Sequence, residues 1–178
     1  MENFLELLKS RRSCRRFTGE PVEQEAVADI MRAALMAPSG HRINPWEFIL
    51  VEDRSMLKSL SVSKAAGAQL LEGAAMAVVV VADTDKSDVW IEDCSIATIL
   101  MQLAAEERGL GSCWVQIRLR KDAEGGSAEE NVKLLLGLPE HYAVLSIVAV
   151  GHKERDSKPF DEDKMQWEKV HIGVYGGK

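Results

Sequence analysis

The stretch IEDCSIATILMQLAAEER at residues 91–108, followed by GLGSCWVQ at 109–116, decides the fold class. Ile96, Ala97, Ile99, Leu100, Met101, Leu103 and Ala104 place apolar side chains around most of one helical circumference. A surface helix shows a single apolar stripe, so a helix like this one must be covered on several sides. Leu100 and Leu103 are expected to face a second subunit. Gly109 ends the helix, and residues 111–116 read as a strand. Outward from there, Ala77 to Ala82 (Ala-Val-Val-Val-Val-Ala) is the β-branched run of a strand buried on both faces. Residues 142–150 form a strong last strand closed by Gly151, and residues 46–51 an earlier one.

Helical spacing fills the intervals. A short helix spans about residues 3–9. A second, about 22–36, carries Val22, Ala26, Val27, Ile30, Ala33 and Ala34 at helical period and must stop near Ala37, because Pro38 disfavours a helical residue before it. Asp53 can cap a helix bearing Met56, Leu57 and Leu60, and residues 129–136 form another. Helices outnumber strands and the connections vary in length, so the class is α+β, in one domain over residues 1–178. No GxGxxG opens a strand–helix turn, which excludes a Rossmann dinucleotide site. The tail, about 152–178, is polar with apolar anchors (Phe160, Met165, Trp167, Val170, Ile172, Val174, Tyr175) and has no period of its own. Such a tail suits wrapping around a partner subunit.

The 178 residues, 46% hydrophobic and 28% charged, suit one packed core. A net charge of -6 argues against nucleic acid or an anionic membrane as partner. No apolar run approaches the roughly 18 residues that span a bilayer, and the acidic N-terminus lacks the pattern of a signal peptide. Cys14, Cys94 and Cys113 form no CxxC, and the four histidines show no metal-ligand spacing. A cytoplasmic protein without a metal is expected.

Hydrolytic and phosphate-loop motifs (GxSxG, HExxH, GxxxxGK[ST]) are absent. Cys94 and Cys113 sit in apolar elements, as small core residues do. If the chain is an enzyme, a cofactor performs the difficult chemistry. The place to hold one is Arg11-Arg12-Ser13-Cys14-Arg15-Arg16, four guanidinium groups in six positions of an acidic chain, between the first helix and the turn at residues 18–21. Guanidinium forks match phosphate oxygens bidentately, and the Ser13 hydroxyl adds a neutral hydrogen bond. Taken alone, the cluster reads more readily as a solvated basic turn, since charge runs are usually surface.

Arg-Arg-Ser-x-Arg-x-Phe near the N-terminus, Ala-Pro-Ser-Gly followed by Asn-Pro-Trp-Glu-Phe, and Gly-Leu-Gly-Ser-Cys-Trp-Val-Gln after the apolar helix together resemble the nitroreductase family. The resemblance runs in order from Asn3 to about Val170. It implies a sandwich whose central, mostly antiparallel sheet is flanked by helices, in an intertwined homodimer with FMN at the interface. Arg11, Arg12, Ser13 and Arg15 would hold the phosphate and ribityl chain. Pro38, Ser39 and Gly40 of the other subunit would cover the ring, with Asn44 nearby. The family often has Asn at the position of Arg42 and Gln at that of Asn44. Cys113, Trp114 and Val115 would pass the ring with their backbone, and Lys158 would complete the phosphate site, ahead of Arg155 and Lys153. The implied activity is ping-pong transfer from NADH or NADPH through FMN to a small-molecule acceptor such as a nitroaromatic or quinone. Larger members carry a helical insert where this chain has only residues 83–88, so its pocket should be open. Alternatives are a dehalogenase-like or flavin-cleaving enzyme on the same scaffold, an FMN-binding carrier or redox-sensing module, and a phosphate-binding module without flavin. Trp46 and Trp90 read as packing anchors, and His41 as an exposed loop residue or a substrate contact.

Overall fold

The computed structural model describes residues 3–177. Among them, four strands form one antiparallel sheet: β1 (Trp46–Val51), β2 (Met76–Asp83), β3 (Gly111–Gln116) and β4 (Tyr142–Gly151), in the order β1-β2-β4-β3. The β-branched run lies where its composition requires, in a central strand buried at all eight positions. Side chains alternate along a strand, so β2 serves two layers. Val78 and Val80, with Val148 and Val150 of β4, pack on α2 (Gln24–Leu35) and α4 (Trp90–Glu107) through Ile30, Cys94, Ala97 and Met101. Ala77, Val79 and Val81, with Ile147, pack on α3 (Arg54–Ser61), a 3-10 turn at Gln69–Gly73 and α5 (Ala128–Leu136) through Leu57, Leu60, Leu71 and Val132.

Local chemistry sets the helix ends. The side chains of Asn3, Asp53 and Ser127 accept from the backbone N–H of Leu5, Met56 and Glu130 at the starts of α1 (Phe4–Ser10), α3 and α5. Gly137 closes α5 in a left-handed conformation at φ 66°, a geometry that costs glycine nothing. Helix α2 starts two residues later than its apolar period suggests, because Glu23 is extended after the turn at Pro21.

The single chain leaves much apolar surface open. Helix α4 is covered by the sheet and α2, yet Ile96 and Ile99 remain 39% exposed each. Leu103 is buried within its own chain and Leu100 packs partly against the core, so the open face of α4 is centred on Ile96 and Ile99 rather than on the expected pair. Helix α1 buries no residue, and Phe4 and Leu5 are exposed. The tail anchors Trp167, Ile172, Val174 and Tyr175 are exposed too, Tyr175 at 93%. Trp46 is buried and stacks on Phe48, as a packing anchor should; Trp90 is half-buried under the Arg118 guanidinium.

Candidate functional site

The arginine segment is fixed by the ends of two strands. The backbone leaves α1 extended at Arg11, and Ser13 bridges Ser112 of β3, with the Cys14 N–H donating to the Ser112 carbonyl at 2.8 Å. Phe17 then bridges Lys153, and the Thr18 N–H donates to the His152 carbonyl at 3.1 Å, just past β4. The chain thus crosses the ends of β3 and β4, and Gly111 makes room for it. Residues 155–160 lie opposite. Arg11, Arg12, Ser13 and Arg15 share a cleft of about 780 Å³ with Arg155, Asp156, Ser157, Lys158 and Phe160.

Five cations and one carboxylate line this cleft. Among the described residues, Arg11, Arg12, Arg15, Arg155 and Lys158 form no ion pair. Arg16 is different: it points to Glu154 at 3.6 Å. Lys153 is also taken, its ammonium 2.8 Å from the largely buried Glu106 carboxylate and outside the cleft's lining. Lys158 and Arg155 are therefore the basic residues after β4 that face the cluster. Gathered cations repel one another at modest effective dielectric, so the arrangement suits a multiply charged anion.

β3 pairs with β4 on one side only, and beyond the bridge at Ser112 no strand covers its outer edge among the described residues. Burial pushes the Cys113 thiol above its ordinary pKa, against the pull of Arg15 and Arg11. That behaviour suits a core thiol rather than a nucleophile. Trp114 is half-buried and donates its indole N–H to the Gln116 side chain at 2.8 Å, while Val115 is buried toward the α3–α5 layer.

Pro38, Ser39, Gly40 and Asn44 do not line the cleft of their own chain. They form a separate loop before β1. The Asn44 N–H donates to Ser39 Oγ at 2.9 Å, and that hydroxyl donates to Asn44 Oδ1 at 2.6 Å. His41, Arg42 and Asn44 all hold positive φ (52°, 59° and 50°), an unfavourable conformation for residues other than glycine. What opposes that strain is Asp93, in the first turn of α4. Its carboxylate is 3% exposed and accepts from the Gly40 N–H at 2.9 Å, while Oδ2 has no partner among the described residues. Sequence reading missed Asp93. A hydrogen bond to a charged group is worth about 1.5–3 kcal/mol. Asp93→Ala is accordingly expected to speed hydrogen exchange of the Gly40 amide at least tenfold in NMR, with Asp93→Asn intermediate. Unchanged protection in Asp93→Ala would show that the loop holds itself.

A sequence model described as the nitroreductase family matches residues 8–86 and 57–152 of the chain. The chain belongs to the nitroreductase family. Among relatives, an Archaeoglobus fulgidus protein, whose name carries both NADH dehydrogenase and NAD(P)H nitroreductase, is 37% identical over 96% of this chain and 98% of its own. Among solved structures, an FMN-dependent nitroreductase from Clostridium difficile is 38% identical and superposes with a TM-score of 0.93, over 96% of this chain and 99% of its own. A nitroreductase-type protein from Desulfovibrio desulfuricans, solved in complex with FMN, is 25% identical with a TM-score of 0.77, over 96% of each chain. The nitroreductase fold of these neighbours agrees with the α+β sandwich described above. In this member the connection between β2 and α4 is short, running only from Thr84 to Val89.

Proposed function

We propose that the protein is an FMN-dependent oxidoreductase that passes electrons from NADH or NADPH to a nitroaromatic, quinone or similar small organic acceptor. The observation that carries this reading is the cleft with its five unpaired cations and the Ser13 hydroxyl, set beside the open edge of β3. Its volume falls in the range of small-molecule and cofactor sites, about 300–1,000 Å³. Its charge fits a phosphate monoester. The C. difficile neighbour is named FMN-dependent and the D. desulfuricans neighbour holds FMN, which supports the choice of ligand.

When bound, FMN supplies the redox chemistry, accepting electrons from the nicotinamide and passing them to the acceptor in alternate half-reactions. The chain's own residues hold and orient. In this reading the Arg11, Arg12 and Arg15 guanidinium groups and the Lys158 ammonium bind phosphate with charge-assisted hydrogen bonds, and Ser13 adds a neutral one. The backbone at Cys113, Trp114 and Val115 lies along the ring, with Trp114 shielding it from water. Pro38, Ser39, Gly40 and Asn44 of one subunit close over the site of its partner in a homodimer of single-domain chains, each tail (about 152–178) wrapping the other. The open apolar face of α4, the unburied α1 and the exposed tail anchors support that assembly. No helix among the described residues is long and apolar enough to cross a membrane, and the three cysteines are free, in keeping with a cytoplasmic protein.

Flavin fluorescence tests the site. The wild type is expected to quench one FMN per subunit, and Arg11→Ala to weaken binding about ten- to a hundredfold, the loss of one charge-assisted contact. A protein that quenches no FMN would refute the reading. An Arg11→Ala variant as tight as wild type would make the cluster a surface feature. Steady-state NAD(P)H oxidation with a quinone separates an enzyme from a flavin carrier.

A further inference from the structure

Glu106 stands in the last turn of α4, and its side chain is only 7% exposed. A carboxylate is ill placed there on two counts. Burial disfavours its charge, and the C-terminal end of a helix is itself negative. Lys153, just past β4, answers it with a largely buried ammonium at 2.8 Å. Stability alone does not explain such a pair, because apolar side chains of similar volume often serve a fold as well or better. What the pair does fix is the place of the Lys153 ammonium.

That place is directly behind the arginine segment. Glu106 and Lys153 line a pocket of about 190 Å³ with Arg12, Cys14, Asp156 and Ser157. Arg12, Asp156 and Ser157 also line the arginine cleft, so the two cavities share a wall. Direct contacts join them as well. Phe17 bridges Lys153 through the backbone, and the Lys153 stem and the Cys14 side chain converge over Gly111. The other carboxylate of the pocket, Asp156, has no cation within ion-pair distance among the described residues. It belongs to the segment that carries Arg155 and Lys158. An ammonium freed from Glu106 would be repelled by Arg12 and attracted by Asp156. Pairing with Asp156 would draw Arg155 and Lys158 out of position opposite Arg11, Ser13 and Arg15.

We propose that Glu106 is a positioning residue for the ligand's phosphate: by retaining Lys153 behind the arginine segment, it leaves Asp156 unpaired and keeps the two cationic walls of the cleft at their spacing. The proposal rests on the FMN reading above. It is tested on the holoprotein with Glu106→Gln, which keeps the volume and removes the charge, and with Glu106→Gln combined with Lys153→Met, which removes the freed ammonium as well. Each is titrated with FMN by fluorescence quenching, and the phosphorus NMR resonance of bound FMN is recorded at saturation. Glu106→Gln is expected to bind FMN about tenfold more weakly, with the phosphate resonance displaced from its wild-type position. The double variant should return to within about threefold of wild type and restore the resonance. If Glu106→Gln does not fold, Glu106→Asp, which falls one carbon short of Lys153, takes its place with the same readings. Wild-type affinity in the single variant would overturn the proposal. So would weaker binding with an unmoved phosphate resonance, the mark of a purely structural role. A double variant as weak as the single one would overturn it too, because the freed ammonium would then not be the cause. A wild type that takes up no FMN would instead overturn the FMN reading on which the proposal stands.

Discussion

Ile99→Glu is expected to give a folded monomer that no longer retains FMN at micromolar concentration. In the single chain Ile99 sits with Ile96 on the uncovered face of α4, so a carboxylate there meets water and costs the protomer little. In the proposed dimer the same carboxylate would be buried without a partner, at a cost of about 3–5 kcal/mol. Every 1.4 kcal/mol is tenfold and each subunit contributes one such carboxylate, so association should weaken by at least about two to four orders of magnitude. If the loop at residues 38–44 of one subunit completes the FMN site of the other, cofactor binding and dimerisation are linked, and FMN affinity falls with association. Ile99 is a cleaner probe than Leu100, which packs partly on the protomer's own core. Sedimentation velocity with and without FMN, alongside circular dichroism to confirm the fold, decides the matter. An Ile99→Glu protein that remains a dimer would remove this face from the interface. A wild-type monomer that keeps FMN would refute the shared site altogether.

What could be read from the sequence follows from how local each signal is. The valine run of β2, the prolines beside the loop at residues 38–45 and the glycines after α4 and α5 act within a few residues, so the elements and their limits were legible. The strand order β1-β2-β4-β3 was not, because it depends on pairings between distant segments. Nor was the 3-10 turn at Gln69–Gly73, where Leu70 and Leu71 carry too short an apolar pattern to show a period. Helix α4 illustrates a subtler limit. A helix apolar on most sides signals that it needs cover, yet its pattern cannot say which face meets the sheet and which a partner; Leu103 turned inward and Ile99 outward.

The site divides the same way. Four arginines in six positions of an acidic chain stand out by charge density alone. The resemblance already put Lys158 first, but separating Arg155 from Lys153 needed the fold, because it is Glu106, 47 residues away in sequence, that engages Lys153. Asp93 would be taken from sequence for an acidic residue complementing the dipole of α4; its contact with Gly40 spans 53 residues.

Gly111→Ala should be the most damaging one-carbon change near the cleft. Gly111 does not have a left-handed backbone; what it supplies is space. A Cβ there would stand 2.6 Å from Cys14 Cβ, 2.7 Å from Cys14 Sγ and 2.9 Å from Lys153 Cγ. The lysine stem can bend aside. Cys14 Cβ cannot, since it moves only with its backbone, and that backbone is held by the Cys14 N–H to the Ser112 carbonyl and by the bridge at Ser13. The extra methyl must therefore lift the arginine segment off β3. Overpacking of this kind costs about 1–3 kcal/mol of stability. Its effect on the ligand should be greater, because Ser13 and Arg15 move together, and a displacement near 1 Å can cost on the order of a hundredfold. The expected result is a folded protein whose FMN affinity has fallen by about a hundredfold. Cys14→Gly in the same chain removes both offending atoms and should recover most of that loss, whereas Cys14→Ala keeps the Cβ and should recover little. FMN titration of the single and double variants measures this coupling. Binding by Gly111→Ala within threefold of wild type would mean that the arginine segment does not owe its position to the close approach at β3.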